Sequence, residues 1–445
     1  MREMKDSGVE WIDKIPSSWS IVPLKTMVSF GKGLPITKEN LIEKGVAVVS
    51  YGQIHSKINV GSHLNKELVR YVSYEYLQSN RNCLAKKGDI LIADTSENYE
   101  GIGNSVLNDW DENLFAGYHT VIIRPSDRTY SKYLAYLFMT DSWRSQLRSR
   151  ASGIKVFSVT QGLLKKTAII IPRENSVQKI TDYLDAKCSK IDEIIEKQQA
   201  IIEKLKEYKI SIITEVVTKG LDYEVDYKES GTEWLGKIPS HWQYLLFKNV
   251  LKERNEKNFP VKTAERLSLS IDKGVTLYSE KTTNLDRFKD DVSQYKLAHK
   301  GDFVLNSMNM IVGAVGISHY FGCVSPAYYT YYDNEEDHIT AKYCDYLFHS
   351  KTVKKVLHSL GKGIMSIDRG DDRINTCRLK VSRTDLRALK IPVPPICEQR
   401  EIVKYLQSKE NLIDKTIADR NKAIDKLQEY KKSLIYEVVT GKKEV

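Results

Sequence analysis

The feature that most constrains this sequence is an internal duplication. The segment DSGVEWIDKIPSSW, from Asp6 to Trp19, recurs as ESGTEWLGKIPSHW, from Glu229 to Trp242, at an offset of 223 residues. Tryptophan and proline are rare, so a match in register over this length is improbable by chance. A period near 220 residues is far above the 20–50 residues of solenoid repeats. The sequence therefore predicts a duplicated pair of domains.

The similarity between the halves is uneven along the chain. A Lys-Gly-Asp strand recurs at an offset of 213, and about half the residues of a long tail segment are identical at an offset of 222. The two halves diverge between about residues 25–165 and 248–380. We therefore expect one scaffold used twice with different variable parts. The matched segments are Lys87–Leu91 with Lys300–Val304 and Tyr183–Thr218 with Tyr405–Thr440.

Each tail segment is predicted to be one long helix. About forty residues without proline or glycine follow a proline in each half, and apolar residues recur there in heptads, a pattern typical of coiled coils. At 1.5 Å per residue each helix would be about 60 Å long. We expect the two helices to pair as an antiparallel coiled coil; the alternative is that each packs on its own domain or on another protein. The predicted seam residues are Leu184, Ile191, Ile194, Ile201, Leu205 and Tyr208, with Leu406, Ile413, Leu427, Tyr430 and Leu434.

The remainder of each half is predicted to be an α+β domain. Short apolar runs bounded by turn residues, such as Val46–Val49, Ile90–Ala93 and Thr120–Ile123, indicate strands. Apolar residues at helical spacing indicate a helix around Tyr130–Ala151. The fold class is therefore α+β, with two similar domains joined by two long helices and related by a pseudo-two-fold duplication. The expected boundaries are 1–175, 176–220, 221–396 and 397–445.

Composition narrows the possible partners and the compartment. The chain has 445 residues, 68 basic and 58 acidic, a net charge of +10, and this excess favours a polyanionic partner, nucleic acid before membrane. Its six cysteines are scattered without a CxxC pair, which suggests reduced thiols. The first residues lack the apolar core of a signal peptide. We expect a cytoplasmic protein.

Motifs of catalysis are missing from the sequence. It contains no GxxxxGK[ST] phosphate loop, no GxSxG elbow, no HExxH helix and no Asn-Pro-Pro or Asp-Pro-Pro. A nuclease built on Asp371 and Asp372 is conceivable, but that stretch has no counterpart in the first half and fits a solvated loop. Together these absences favour a binding protein over an enzyme, without catalytic or metal-ligating residues.

Candidate DNA-binding residues lie in the variable parts. Lysine and arginine neutralise phosphates, whereas amide and hydroxyl side chains can read base edges. Polar loops follow the Lys-Gly-Asp strand in both halves and differ in sequence, as the reading of two different sequences would require. Ordinary exposed turns are the alternative. The candidates are Lys32, Lys38, Lys86, Lys87, Thr95, Ser96, Asn98, Tyr118, His119 and Lys155 in the first half, and Asn306, Ser307, Asn309, Tyr328, Tyr329, Lys362, Arg369 and Arg373 in the second.

These patterns resemble the specificity subunit of type I restriction–modification systems. The resemblance is carried by the Trp-x-x-x-Ile-Pro-x-x-Trp openings, the Lys-Gly-Asp strands, the Ile-Pro boundaries, the Gln399–Ile402 stretch and the LxEYK…EVVT helices. It covers essentially the whole chain. One departure is that the first helix opens with Ser176–Ile180 where its counterpart has Glu398–Ile402, which we expect to alter only the helix start.

The resemblance implies two target-recognition domains, 1–175 and 221–396, that read an asymmetric bipartite double-stranded DNA target. The helices, 176–220 and 397–445, would act as spacers and as a dock for two modification (methyltransferase) subunits, joined by restriction (translocase and endonuclease) subunits. The chain itself would be non-catalytic and without a cofactor, with S-adenosylmethionine on the modification subunit. The alternatives are a coiled-coil scaffold protein without DNA specificity, and an enzyme with unrecognised motifs.

Overall fold

The computed structural model describes residues 3–153, 155–280, 291–364 and 378–445, with the side chains of residues 364 and 378 excepted. The chain divides into two compact units. Unit 1 comprises Met1–Gln198 and Asn421–Val445, and unit 2 comprises Gln199–Arg420. Each unit is therefore one variable domain together with parts of both long helices.

Unit 1 carries strands β1–β14 and helices α1–α5, and it contains the first part of α6. The strands are Met4–Asp6, Lys14–Pro16, Ser20–Pro23, Val28–Lys32, Val46–Val49, Arg70–Val72, Leu84–Ala85, Ile90–Ala93, Thr95–Ser96, Ser105–Leu107, Leu114–Ala116, Thr120–Pro125, Phe157–Ser158 and Ala168–Ile171. The helices are Tyr51–Ile54, Tyr76–Ser79, Ser131–Phe138, Asp141–Arg148, Gln161–Lys166 and, for α6, Glu174–Lys219.

Unit 2 carries strands β15–β28 and helices α7–α10, and it contains the first part of α11. The strands are Tyr227–Glu229, Lys237–Pro239, Gln243–Leu246, Lys252–Glu253, Leu267–Ser270, Gly274–Leu277, Lys296–Ala298, Phe303–Asn306, Val315–Ile317, Gly322–Val324, Tyr328–Tyr332, Lys362–Ile364, Arg378–Lys380 and Lys390–Val393. The helices are Phe247–Val250, Ile339–His349, Lys351–Leu360, Arg383–Ala388 and, for α11, Ile396–Val439.

The central sheet has the same strand order in both units. It is antiparallel, β10-β8-β12-β4 in unit 1 and β23-β22-β25-β18 in unit 2. Every residue of β8 and β22 is buried, so both faces of these strands are covered. Outside this sheet the units differ, because unit 1 adds a four-stranded sheet, β6-β5-β11-β7, where unit 2 has separate two-stranded pairs. The α+β class and the duplication are thus confirmed.

The helix predicted around Tyr130–Ala151 is two helices, α3 and α4. Thr140 ends the first and caps the second, because its hydroxyl accepts a hydrogen bond from the Trp143 N–H. Ser350 caps α9 in the same way. The break turns α4 away from α3 and buries Trp143 against Phe138, with ring centroids 4.1 Å apart.

The long helices begin at equivalent residues, since Glu174 and Ile396 are separated by 222 positions. The expectation that this opening alters the start of α6 was therefore wrong. Two residues separate the preceding strand from the helix in both units, Pro172 and Arg173 after β14 and Pro394 and Pro395 after β28. Neither these helices nor any other within the described ranges is apolar enough along its length to cross a membrane.

In each unit, α6 and α11 pack in opposite directions. In unit 1 Asp192 of α6 binds Lys431 of α11 at 2.6 Å, and Tyr183, earlier in α6, lies under the Lys443 ammonium, which follows α11. In unit 2 Lys209 binds Asp414 at 2.9 Å and Glu410 at 3.3 Å. Burial lowers the pKa of Lys209, but these two carboxylates outweigh it and raise the pKa overall. The two ion pairs are duplicates, because each lysine and each aspartate recurs 222 residues later.

One buried tyrosine in each unit ties the helix pair to its domain. The Tyr133 hydroxyl lies 3.0 Å from the Ile170 carbonyl oxygen and 2.9 Å from that of Val439, at the end of α11. The Tyr343 hydroxyl lies 3.1 Å from the carbonyl oxygens of Pro392 and Val217, the latter near the end of α6. Each hydroxyl shares its single proton between two buried carbonyls. Desolvation raises the pKa of both tyrosines, so both hydroxyls remain protonated.

Of the eleven predicted seam residues, eight are buried or half-buried and three are exposed. Leu184, Ile191, Leu406, Ile413 and Leu434 are buried, and Ile201, Leu205 and Leu427 are half-buried. Ile194, Tyr208 and Tyr430 are instead 37–53% exposed, so their assignment to the seam was wrong. The second seam position lies one residue later, at Cys188, Ile195, Ile202, Lys209, Ile424 and Lys431. Sequence could not separate the registers, since isoleucine occupies both 194 and 195 and both 201 and 202.

This register predicts opposite outcomes for two adjacent residues. Ile195→Ala removes a buried side chain and should lower the free energy of local opening of α6 by about 2–4 kcal/mol. Ile194→Ala, on the exposed face, should change it by at most about 0.5 kcal/mol. Hydrogen exchange of the α6 amides between residues 184 and 198 measures both, and equal effects from the two variants would contradict this register.

Candidate nucleic-acid interface

The candidate interface is built on a strand that a buried aspartate holds in place. In unit 1 Asp89, fully buried before β8, accepts hydrogen bonds from Arg124 at 2.8 and 3.0 Å and from Arg128 at 2.6 Å. It also accepts from the Lys86 N–H at 2.8 Å, which closes the Lys-Gly-Asp turn. A buried carboxylate is tolerated because every oxygen is paired with charged donors.

Unit 2 holds the equivalent aspartate with an arginine from a different place. Asp302, before β22, accepts from Arg254 at 2.6 and 3.0 Å and from the His299 N–H at 2.8 Å. Arg124 lies in β12, which comes after β8 in the chain, whereas Arg254 follows β18, which comes before β22. In both units a buried aspartate bound by arginine therefore holds this strand in place, but the arginines come from different parts of the chain.

A groove opens in unit 1 at the far end of β8. It has a volume of about 380 Å³ and brings together four of the predicted residues, Lys38, Ser96, Asn98 and Tyr118. Lys38 and Asn98 are exposed, Tyr118 is 45% exposed, and Ser96 is buried with its hydroxyl donating to the Asn98 carbonyl oxygen at 2.7 Å. Ser96 therefore holds the loop and is not a surface contact, contrary to its prediction as a DNA-binding residue.

Three residues that sequence reasoning missed complete this groove. Tyr51, Gln53 and His55 lie on and just after α1 and line it with Tyr118. The Gln53 side-chain oxygen accepts from the Ser50 N–H at 3.1 Å, which leaves its NH₂ group as a donor. They could not be found from sequence, because α1 is a single turn without periodicity and meets Tyr118 only across the fold.

Two histidines organise the loop after β8. His55 Nε2 lies 2.8 Å from the Thr95 carbonyl oxygen and its Nδ1 lies 3.1 Å from the Asn104 amide. Because a carbonyl only accepts, Nε2 carries the proton. His119 Nδ1 lies 2.9 Å from Asp94 and 3.1 Å from the Thr95 hydroxyl. His119 has a φ of 53°, a left-handed conformation that a non-glycine residue adopts only when its surroundings fix it.

Glycine is required at position 101, where the loop after β8 comes close to Ser96 and Asn98. A Cβ atom at residue 101 would lie 2.6 Å from the Ser96 Oγ, 2.9 Å from the Asn98 Oδ1 and 3.1 Å from the His55 Nδ1. Its N–H donates to the Asn98 Oδ1 at 2.7 Å. This bond holds the Asn98 oxygen, while the Asn98 NH₂ makes no hydrogen bond within the described residues.

The predicted lysines of unit 1 fall at two places. Lys32 ends β4 in register with Val121, and Lys155 precedes β13, which pairs with Thr95 and Ser96; both are exposed on the side of the groove. Lys86 and Lys87 lie at the opposite end of β8, where Lys87 binds Asp111 at 2.7 Å. The structure therefore does not bring these two lysines together with the groove.

In unit 2 the equivalent loop presents fewer of the predicted residues. Asn309 is exposed, and so is Lys362, whose Nζ lies 3.4 Å from Asp385. Tyr328 is half-buried, and its carbonyl oxygen accepts from Lys296 at 2.8 Å. Arg369 and Arg373 lie outside the described residues.

Three predicted contacts of unit 2 are buried structural residues instead. Ser307 is fully buried, and its carbonyl accepts from the Val381 N–H at 3.0 Å. Tyr329 lies in β25 and donates its hydroxyl to the Val381 carbonyl at 3.2 Å. The Asn306 oxygen accepts from the Met308 N–H at 3.1 Å. The polar character of these residues reflects loop closure, which sequence alone does not distinguish from recognition.

Unit 2 instead exposes apolar side chains in this loop. Met308, which precedes the short turn Met310–Val312, is 44% exposed, and Val312, the last residue of that turn, is 50% exposed. Sequence reasoning passed over both, because apolar residues there suggest core. The two units thus present different chemistry after the same strand: amide, carboxylate and aromatic groups in unit 1, and Asn309 with thioether and aliphatic groups in unit 2.

Several arginines that contribute to the basic excess are used by the fold. Arg144 donates to the Phe138 carbonyl at 2.9 Å, and burial, with Arg148 nearby, lowers its pKa to about 10. Arg383 and Arg387 bind the buried Glu253 at 3.0 and 3.6 Å. Across the residues with described positions, no group of three His, Cys, Asp or Glu side chains could hold a metal ion.

Comparison with known families identifies the duplicated domain. The family model described as the type I restriction modification DNA specificity domain matches residues 16–212 and 239–426, once in each half. The chain belongs to this family.

Relatives and solved structures agree with the membership across nearly the whole chain. The MjaX type I restriction enzyme specificity subunit assigned in Methanocaldococcus jannaschii is 25% identical over 97% of this chain and 95% of its own length. The EcoKI specificity subunit of Escherichia coli (strain K12) is 19% identical over 96% and 90%. A chain from a solved structure concerned with assembly and conformational transition of the type I system has a TM-score of 0.64 at 16% identity, covering 96% of this chain and 98% of that one. That match shows the fold.

The buried Asp89 gives a prediction for the local stability of β8. Asp89→Ala leaves two arginines beside a buried hole and should lower the free energy of local opening of β8 by about 3–5 kcal/mol. Asp111→Ala, which removes the exposed partner of Lys87, should change it by at most about 0.5 kcal/mol. Hydrogen exchange of the β8 amides compares the two variants. Unchanged exchange in Asp89→Ala would show that the buried aspartate is not needed to hold β8.

Proposed function

We propose that this chain is the DNA-recognition subunit of a type I restriction–modification complex, and that its two specificity domains read the two halves of an asymmetric bipartite target. Family membership supports a role in DNA specificity. The observation that supports the asymmetry is that two equivalent loops after the same pinned strand carry different side chains. Half of the target would be read by each domain, with phosphate contacts holding the register.

The groove of unit 1 supplies the groups that direct readout needs. The NH₂ groups of Gln53 and Asn98 can donate to acceptors on base edges, Glu97 can accept from a cytosine amine, and Lys38 can bind a phosphate or a guanine. The Tyr51 and Tyr118 rings, inclined at 70° with centroids 6.3 Å apart, offer apolar faces for bases and sugars. In unit 2, Met308 and Val312 would contact a thymine methyl or wedge against a base step.

We propose that the chain performs no chemistry and binds no cofactor. Methylation would be carried out by two modification subunits that bind S-adenosylmethionine and dock on the helix pair, and cleavage by restriction subunits. The names of the relatives, which are specificity subunits of restriction enzymes, support this division. A non-catalytic scaffold without DNA specificity is not favoured, because the family model is that of a DNA specificity domain.

The direct test combines the purified chain with its modification subunit and sequences methylated genomic DNA. We expect methylation at one asymmetric motif with two specified parts and an unspecified gap, and none from either component alone. Methylation by the chain alone would support an enzyme. A complex that forms but methylates without sequence preference would support the scaffold alternative.

Gly101→Ala tests the groove with a single methyl group. Because the added Cβ collides with Ser96 and Asn98, we expect the affinity for the target duplex to fall at least tenfold, with the loss confined to discrimination in one half of the motif. Gly162→Ala is the matched control, since its Cβ meets nothing closer than 3.7 Å and lies in α5. Fluorescence anisotropy with duplexes altered in either half measures both effects. Equal losses for the two variants, or for both halves, would remove the groove from readout.

The helix pair should set the gap between the two parts of the target. Deleting residues 198–204 together with residues 420–426 removes one heptad from each helix and keeps the seam in register. Each helix shortens by about 10 Å, which corresponds to about three base pairs of B-DNA at 3.4 Å each. The methylated motif should keep both parts and lose about three unspecified positions. A change in the specified bases would contradict the spacer role.

A further inference from the structure

The two units differ at the point where their long helices begin. In unit 2 the Glu398 carboxylate, in the first turn of α11, accepts hydrogen bonds from the Trp242 Nε1–H at 3.0 Å to each oxygen and from His241 Nε2 at 2.8 Å. Trp242 is fully buried, so this carboxylate supplies the acceptor that a buried indole N–H requires. The negative charge also lies at the positive end of a 44-residue helix.

Unit 1 has the same tryptophan without the carboxylate. Trp19 occupies the position of Trp242, and Ser176 that of Glu398, 222 residues earlier. Trp19 is 2% exposed, and among the described residues its Nε1–H has no hydrogen-bond partner. The nitrogen itself keeps contact with solvent, unlike the buried, unpaired Nε1 of Trp143. The Trp19 side chain is therefore more than nine-tenths buried, while its N–H has a partner in one unit and lacks it in the other.

Both indoles are held in the same way, so the difference is confined to the acceptor. A Cβ atom at Gly441 would lie 3.0 Å from the Trp19 ring and 2.5 Å from Pro16, and one at Gly220 would lie 3.3 Å from the Trp242 ring and 4.0 Å from Pro239. The end of α11 thus covers Trp19 as the end of α6 covers Trp242. The Ile-Pro-x-x-Trp segment therefore packs against the end of a long helix in the same way in each unit.

A cavity of about 380 Å³ adjoins Trp19 at this point. Its wall includes Ser17, Ser18, Arg173, Asn175 and Ser176 beside Trp19. It is thus lined by hydroxyl, amide and guanidinium donors and by the start of a 46-residue helix. Glu3 is the acidic residue of the wall; it is exposed and makes no side-chain hydrogen bond within the described chain.

We propose that this cavity is a binding site for a single oxyanion, which accepts the Trp19 Nε1–H as Glu398 accepts that of Trp242. Arg173 and the helix N-terminus supply the positive potential, and Ser18 and Ser176 supply hydroxyl donors. The ligand is a carboxylate or a phosphate, both of which present two oxygens on one atom, as the Glu398 carboxylate does. The site lies at the start of α6 and not in the variable loops that would read bases.

The test follows the indole N–H signals of the full-length chain by NMR with ¹⁵N-labelled tryptophan. Trp19→Phe and Trp242→Phe assign the two signals. Sodium acetate or sodium phosphate, added against sodium chloride of equal ionic strength, should move the Trp19 signal downfield with saturation in the millimolar range and leave Trp242 unmoved. A Trp19 signal that responds to neither anion would overturn the proposal.

A reciprocal pair of substitutions separates the site from a general salt effect. Ser176→Glu should place the Trp19 signal downfield in the absence of added anion and abolish its response. Gln178→Glu adds the same charge to the same helix turn, outside the cavity wall, and should leave the response intact. Glu398→Ser should make Trp242 responsive. A response of Trp19 that persists in Ser176→Glu would show that the anion binds elsewhere.

A third arm identifies the source of the anion. Duplex DNA that moves the Trp19 signal in the native chain, but not in Ser176→Glu, would assign a backbone phosphate to the site. A response to acetate without one to DNA would assign a carboxylate.

Discussion

The structure depends on the pairing of two long helices that belong equally to both domains. A helix of 44 or 46 residues with an apolar seam cannot bury that seam alone, and here each half of each helix is covered by the opposite half of its duplicate. The shared proton of Tyr133, and of Tyr343 in the other unit, fixes the end of one helix to the strand that precedes the other. The Lys431–Asp192 and Lys209–Asp414 pairs fix the register. A substitution in the seam of one helix must therefore fit the residues that it packs against in the other helix.

That constraint explains where the two halves diverged. Residues that contact the helix pair recur in both units, including the two tyrosines and the Ile-Pro-x-x-Trp segments. The loops after β8 and β22 begin at equivalent strands but differ in sequence. The buried aspartates show that the same geometry can be kept with different partners, since Asp89 is bound by an arginine within β12 and Asp302 by one that follows β18. A rigid scaffold with free loop ends suits a protein whose two domains must recognise different sequences.

The duplication, the long helices and the strands Val46–Val49 and Ile90–Ala93 could be read from sequence, because they rest on periodicity and on long matched segments. The seam register could not, since the competing positions carry the same residue types and the choice is made by packing. Among the candidate contacts, Ser96, Ser307 and Tyr329 were misjudged because a polar residue that closes a loop looks the same in sequence as one that meets a ligand. Tyr51, Gln53 and His55 were missed because they reach the groove only through the tertiary fold.

The central claim is that each variable domain reads its own part of the target irrespective of its place in the chain. A chain that carries the variable residues of the first half, 25–165, in place of residues 248–380 tests it most directly. Sequencing of DNA methylated by this chain with its modification subunit should show a motif in which the unit 1 part occurs twice and the unit 2 part is lost. Retention of the native asymmetric motif would contradict the account.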